Sequence, residues 1–264
     1  MDKNSSPKCG IIVCSLGREK ELQACLESLY IQEYKNYEIE IVKLDMPLVL
    51  CRQIGLQKAL DKGAEIVSFI DDDVICSRMW LHNIVHSFRD FVNIVGITGP
   101  TIVPKEYQKN RDIFKYNRLY SIFNNSKVPG RFSKWGAPSM ASNYNFTRNL
   151  FCEVGYLECC NMSFKASVFK NIGGFDLRYE GTGEWSEVDL AVRARKYGDL
   201  VFNGQVQVFH CPTQAGVYKN RLKTQHRYRN YIRFADRHLK KTWQLFIYKK
   251  LFWLYLKWKE WRAK

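Results

Sequence analysis

The sequence has no Cys-x-x-Cys pair, no internal repeat and no low-complexity tract. It also has no uninterrupted apolar stretch near the ~20 residues a bilayer-spanning helix requires. The nine cysteines (Cys9, Cys14, Cys25, Cys51, Cys76, Cys152, Cys159, Cys160 and Cys211) are odd in number and scattered. Their spacing excludes a zinc or dithiol redox motif, and they read as small buried hydrophobes of a reducing compartment. The N-terminus, MDKNSSPK, is polar and runs straight into Ile11-Ile12-Val13. No signal peptide is expected there, and a cytoplasmic location follows from that expectation.

Acidic residues are scarce at one end only. From Tyr218 to Lys264 there are 15 of the 41 Lys and Arg but 2 of the 26 Asp and Glu, a net of +13 out of the chain's +15. Residues 1–217 therefore carry only +2, so the excess describes what the tail touches and not the body.

What is present is a chain of 264 residues with 46% apolar side chains, enough for one compact domain with an appendage. The first hundred residues alternate short Ile- and Val-rich runs with amphipathic stretches, the pattern of a βαβ series on a mostly parallel sheet. Strands are expected at Gly10–Leu16, Glu38–Leu44, Glu65–Ile70 and Val92–Thr98, and helices at Lys20–Ile31, Arg52–Lys62 and Arg78–Phe91. Gly99-Pro100 closes the fourth strand. Beyond it, Thr101–Asn149 is irregular and aromatic, as functional loops often are. Regularity resumes with a strand at Glu153–Cys160, a short helix at Lys165–Asn171, a helix at Glu187–Tyr197 and a last strand at Leu200–Phe209.

The run Asp71-Asp72-Asp73 ends the buried strand Val67-Ser68-Phe69-Ile70, where an open α/β sheet binds its ligands. Hard divalent cations take oxygen ligands, and Mg²⁺ is commonly held by one or two carboxylates plus substrate phosphates. Three adjacent aspartates repel unless a cation neutralises them, whereas capping a helix near Ser77 needs only one. On an extended segment, alternation turns Asp71 and Asp73 the same way and Asp72 the other.

Further on stand Gly155-Tyr156-Leu157-Glu158-Cys159-Cys160-Asn161-Met162, Gly173-Gly174-Phe175-Asp176, Glu184-Trp185-Ser186-Glu187-Val188-Asp189 and Val208-Phe209-His210. With the Asp71–Asp73 run before them, this order and spacing resembles the inverting glycosyltransferase family 2 over residues 9–217. The resemblance implies a GT-A fold: a Rossmann-like, mostly parallel α/β sheet flanked by helices, here with a C-terminal helical extension. It further implies an enzyme that moves a sugar, with inversion, from a nucleotide diphosphate-sugar, a UDP-sugar foremost, to a hydroxyl of a glycan or lipid-linked acceptor. Mn²⁺ or Mg²⁺ is the implied cofactor, with Asp73, Asp71 and His210 as its ligands. Ser15, Arg18, Asp45, Arg52, Asp71, Asp72 and Asn161 are the implied nucleotide-sugar contacts. Arg52 lies in Cys51-Arg52-Gln53-Ile54-Gly55, which resembles the family's Ala-Arg-Asn-x-Gly stretch.

Inverting transfer needs a carboxylate to take the acceptor's proton. Glu187 aligns with the family's base, but Ser186 replaces the usual first acid, so the role stays open among Glu187, Glu184 and Asp189, with Glu187 foremost. Asp189 can equally pair with Arg193 four residues on. Two rivals are a sugar nucleotidyltransferase and a carbohydrate-binding scaffold on a degenerate fold. The first should carry a Gly-rich phosphate loop after its first strand, and Ser15-Leu16-Gly17-Arg18 is not one.

From Arg221 onward the sequence turns helical. Trp243, Ile247, Leu251, Leu254, Trp258 and Trp261 recur at spacings of three and four, interrupted by lysines. Residues 218–264 thus read as an interfacial helix on an anionic membrane surface, with packing on the catalytic domain or on a second copy as the other use of such a stripe. No nucleic-acid module accompanies the tail, so nucleic acid is not an expected partner.

Overall fold

The computed structural model describes residues 6–15, 17–43, 47–110, 122–124, 126, 128–139, 149–212 and 224–262. Strand β1 (Cys9–Ser15) is buried at every position, because it lies between two parallel neighbours with helices over both faces. Those neighbours are β2 (Tyr37–Lys43) at the sheet edge and β3 (Ile66–Asp71) toward the centre. Helices α1 (Glu19–Tyr30), α2 (Leu48–Asp61) and α3 (Trp80–Asp90) supply the crossovers. Helix α2 sits close against the sheet at Gly55, where a Cβ would come within 2.4 Å of Ile12 Cγ2.

After β3 the chain makes β4 (Val74–Cys76), β5 (Ile94–Thr98) and β6 (Thr101–Ile102), and later β7 (Phe151–Glu153) and β8 (Met162–Lys165). A short helix α4 (Phe169–Ile172), then α5 (Ser186–Ala194), β9 (Asp199–Asn203) and β10 (Val208–His210) follow. The main sheet runs β2-β1-β3-β8-β5-β9-β7. Its parallel pairs are β1·β2, β1·β3 and β5·β9, while β8 runs antiparallel between β3 and β5, with Ser68 and Ser163 hydroxyls 2.8 Å apart across the pairing. A small second sheet, β4-β10-β6, lies beyond the ends of β3 and β5.

Two expected strands are rearranged. The apolar run at Glu153–Cys160 is not one strand: only β7 forms at its start, and Cys159–Asn161 is a turn of 3₁₀ helix leading into β8. Its buried side chains Val154, Tyr156 and Leu157 are inside without alternating, and an apolar run without alternation does not distinguish strand from buried loop. The Leu200–Phe209 segment divides at Asn203-Gly204, where a turn closed by Val206 N–H donating to Asn203 O sends β10 into the second sheet. That division puts His210 opposite Val74, next to the acidic run.

The tail forms two helices, α6 (Thr224–His238) and α7 (Trp243–Arg262). Tyr231 and Ala235 of α6, Leu245 and Tyr248 of α7, and Ala137 make a third small core. Thr242 starts α7 by accepting the Leu245 N–H on its hydroxyl at 3.1 Å. Among the described residues no helix is long and apolar enough to cross a membrane.

Candidate active site

The three aspartates fall where the strand stops. β3 ends at Asp71, and Asp72 and Asp73 lie in the tight turn into β4, so strand alternation does not govern them. The expected pairing of Asp71 with Asp73 is replaced by one of Asp72 with Asp73, both gripped by Arg18. Its guanidinium donates to Asp73 Oδ2 at 2.8 Å and to both oxygens of Asp72, and Ser15 Oγ adds a 2.8 Å bond to Asp72. Asp71 remains partly exposed and faces Arg52, 3.3 Å away.

His210 arrives from β10, with its Nε2 3.3 Å from Asp73 Oδ1. The pairing is anchored by the Cys211 N–H, which donates to the Asp73 carbonyl at 2.8 Å. Beyond this long ion-pair contact Asp73 Oδ1 is buried with no further partner, and the other ring nitrogen, His210 Nδ1, is buried with none among the described residues. An unsatisfied buried polar atom costs about 1–3 kcal/mol, and the long His210 contact leaves Asp73 Oδ1 with unused acceptor capacity. A carboxylate oxygen and an imidazole nitrogen at this separation fit adjacent positions on one divalent cation. No group of three His, Cys, Asp or Glu among the described residues forms a complete cage. The donor set therefore fits a cation that completes its coordination with substrate oxygens, as Mg²⁺ commonly does.

Burial alone would raise the Asp73 carboxyl, but His210 and Arg18 outweigh it and hold it below the ordinary value. For Asp72 the balance goes the other way: burial wins over Arg18 and Ser15, and its carboxyl is raised. The neighbouring Cys14 and Cys25 thiols are pushed up to about 12, mainly by burial, and stay neutral at physiological pH. They line the site as apolar groups.

Arg52 joins the acidic turn to the second constellation. Its guanidinium is buried, a setting that works against its charge, but Cys159, Asp71 and Glu187 more than compensate, and its pKa is raised. Asp71 pairs with Arg52, and the charges of both act on Glu187, so the two acidic runs lie within electrostatic reach of one guanidinium. Burial raises the Glu187 carboxyl above the ordinary glutamate value, with Arg52 opposing.

Glu187 reaches this position through a distorted approach. Gly181, Gly183 and Trp185 all have positive φ, and Trp185 at 78° is the one such non-glycine among the described residues. At Gly183 a Cβ would meet Val49 Cγ2 at 2.4 Å. A left-handed tryptophan costs about 1–2 kcal/mol, and here ring packing holds it: its indole centroid lies 5.0 Å from both Tyr231 and Phe234 of α6.

The other two acids considered for the base are bound to the tail. Glu184 accepts from Arg227 Nε at 2.7 Å. Asp189 is wholly buried and meets Arg193 at 2.8 Å, His238 at 2.6 Å and Arg237 at 3.2 Å. Of the three acids, Glu187 is the one with no ion pair to the tail among the described residues, and the Arg52 charge acts on it. Glu180 extends the series with His226 at 2.6 Å and Arg229 at 3.3 Å. This clamp is not foreseen from the sequence, although basic residues at 226, 229 and 237 that take part in it lie at near-helical spacing.

Asn161 departs from its expected role. It is fully buried, accepts the Trp80 indole N–H at 2.9 Å, donates to Val206 O at 2.7 Å and receives the Thr98 hydroxyl on its carbonyl. Both ends of its amide serve the join between β5, the Cys159–Asn161 turn and the second sheet, so its side chain lines no donor pocket. Met162 is equally buried. Asp45 lies outside the described residues.

With this geometry in hand, known proteins place the architecture. No family model matches the chain. A glucosyl-dolichyl phosphate glucuronosyltransferase of Haloferax volcanii is 24% identical over 173 residues, which is 56% of this chain and 55% of that protein. The chain thus aligns with about half the length of that curated relative. Among solved structures, the mannosyltransferase PcManGT from Pyrobaculum calidifontis, in complex with GDP-Man and Mn²⁺, is similar over 98% of this chain and 73% of its own, with TM-score 0.58 and 15% identity. GalNAc-T7 with UDP, GalNAc and Mn²⁺ is similar over 87% of this chain and 48% of its own, with TM-score 0.53 and 13% identity. The chain has the GT-A fold, the architecture its motifs implied, and its similar proteins are glycosyltransferases.

Proposed function

We propose that this protein is an inverting, metal-dependent glycosyltransferase that moves a sugar from a nucleotide diphosphate-sugar to a hydroxyl of a glycan or lipid-linked acceptor. The observation that carries this reading is the buried Asp73–His210 pair at the end of the acidic turn, with Asp71 on Arg52 and Glu187 within the field of that same guanidinium. Asp73 and His210 would hold Mn²⁺ or Mg²⁺. Bound there with the diphosphate, the cation supplies charge neutralisation for the departing nucleotide.

The chain's own residues account for the rest. Arg18 bonds to both Asp72 and Asp73 and offsets part of their charge, which keeps the acidic turn in shape. Arg52 keeps Asp71 oriented and sets a positive charge near Glu187. Glu187 accepts the acceptor hydroxyl's proton, and a base whose pKa lies above the ordinary carboxylate range takes that proton more readily. Trp185 and the α6 clamp fix the backbone that carries it. Because the similar structures hold GDP-Man or UDP with Mn²⁺, UDP- and GDP-sugars are the donors to screen first.

Donor turnover measured with Mn²⁺ and with chelator tests this reading. Asp73→Ala should abolish the metal-dependent part, and undiminished metal-dependent turnover in that variant would overturn the assignment. Glycan binding without any Mn²⁺-dependent nucleotide binding would favour a carbohydrate-binding scaffold instead.

A further inference from the structure

Helix α7 is apolar on both sides. Leu245, Tyr248 and Leu256 are buried against α6 and its surroundings. The opposite side carries Trp243, Phe246, Trp253, Leu254, Trp258 and Trp261, all exposed, with Trp243 at 65%, Leu254 at 55% and Trp261 at 73%. At 3.6 residues per turn these six fall within an arc of roughly 140°. Soluble surfaces rarely expose so continuous an apolar strip, and a helix apolar all round normally has both sides covered.

The charges beside this strip identify its cover. Lys250 and the half-exposed Lys257, which pairs with Glu260 at 3.1 Å, fall within the same arc, and the Lys250 ammonium sits 4.4 Å from the Phe246 ring centroid. Lys240 and Lys241 are exposed just before the helix begins. With residues 218–264 at +13, two such faces repel each other, whereas tryptophans and lysines together suit headgroups that are apolar below and anionic above. We infer that the outer face of α7 is a docking surface for an anionic lipid bilayer, presented as a preformed helix. The inner face already packs on α6, and Lys249 is tied to Asp236, so α7 needs no lipid to fold. This inference stands independently of the transfer reaction.

Co-sedimentation of the full chain with vesicles tests it, using phosphatidylcholine alone and phosphatidylcholine mixed with phosphatidylglycerol. The protein should bind the anionic vesicles far better, with a blue shift of tryptophan emission and unchanged far-ultraviolet circular dichroism. Trp258→Ala with Trp261→Ala should lower partitioning by about tenfold or more, since each removes exposed apolar area that the lipid would cover. Lys250→Gln with Lys257→Gln should lower it by about tenfold on anionic vesicles only. Those side chains are exposed or half-exposed, so folding is retained and melting temperature checks it. Vesicle binding that neither pair reduces, a rise in helicity on binding, or a protein that ignores vesicles and forms a dimer split by Trp258→Ala and Trp261→Ala would each overturn the inference.

Discussion

Glu187 and Asp189 lie two residues apart on one helix, yet the structure gives them opposite duties, and a pair of substitutions separates these. Asp189 is wholly buried with Arg193 and His238 nearly as buried around it. Removing one member of a buried ion pair costs about 3–5 kcal/mol, because its partners are left charged and uncompensated. For a chain of this size, Asp189→Ala should therefore lower Tm by roughly 6–20 °C. Asp189→Asn keeps one acceptor oxygen and should cost less. Burial pushes the Asp189 carboxyl up, but His238, Arg193 and Arg237 bring it below the ordinary value. A depressed carboxyl stabilises the fold above its unfolded pKa, and that contribution disappears as pH falls through the folded value. The difference between wild type and Asp189→Ala should accordingly shrink in acid. Glu187 has the reverse sign. Its raised carboxyl contributes stability only at low pH, and this is lost as pH rises through the folded value, so the ionised group is a cost at neutral pH. Glu187→Gln should melt no lower than wild type, and higher near neutrality, while losing roughly 10²–10⁴-fold in kcat as a general base does. Thermal melts and donor turnover on the same preparations decide the matter. A stable but inactive Asp189→Asn beside an active, destabilised Glu187→Gln would refute the assignment.

Other consequences follow from the same contacts. Arg18→Ala should lower Tm in chelator by several degrees, since two buried aspartates lose their shared cation at a cost of about 3 kcal/mol, and the rise on adding Mn²⁺ should be larger than in wild type. Equal melting in chelator would contradict that role. At Trp185, glycine should be better tolerated than alanine by about 1 kcal/mol, because both lose the rings on Tyr231 and Phe234 but glycine also relieves the positive φ. Chemical denaturation measures the difference, and alanine proving the more stable would contradict the strain argument. Arg227→Ala should raise KM or lower kcat without touching metal affinity, since Arg227 holds Glu184 and not the acidic turn. A change in Mn²⁺ affinity would oppose this.

Much of the architecture was legible because β1, β3, α1 and α3 carry clean local signals: buried apolar runs for the strands, amphipathic periodicity for the helices. Those elements end within about two residues of the expected positions, the usual fraying of helix and strand boundaries. The order of the acidic motifs pointed to the GT-A fold. The antiparallel insertion of β8 was not legible, since strand direction is set by distant pairing partners and leaves no mark in the strand's own residues. Nor was the fate of Asn161, whose polar side chain reads like a ligand until Trp80 and Val206 use up its hydrogen bonds. The strand-alternation argument at Asp71–Asp73 failed for a local reason: it assumed an extended backbone two residues beyond where β3 turns. The hold of α6 on Glu184 and Asp189 joins residues more than forty positions apart, and only the folded chain shows it.

In the proposed reaction a cation held between Asp73 and His210 arrives with a nucleoside diphosphate. Calorimetric titration of UDP and GDP, in Mn²⁺ and in chelator, on wild type and Asp73→Asn is the most direct measurement of it. Binding of one of the two nucleotides should need Mn²⁺ and weaken by about tenfold or more in Asp73→Asn, a loss of roughly 1.4 kcal/mol or greater. Nucleotide affinity that is the same in chelator as in Mn²⁺, and the same in both proteins, would contradict it.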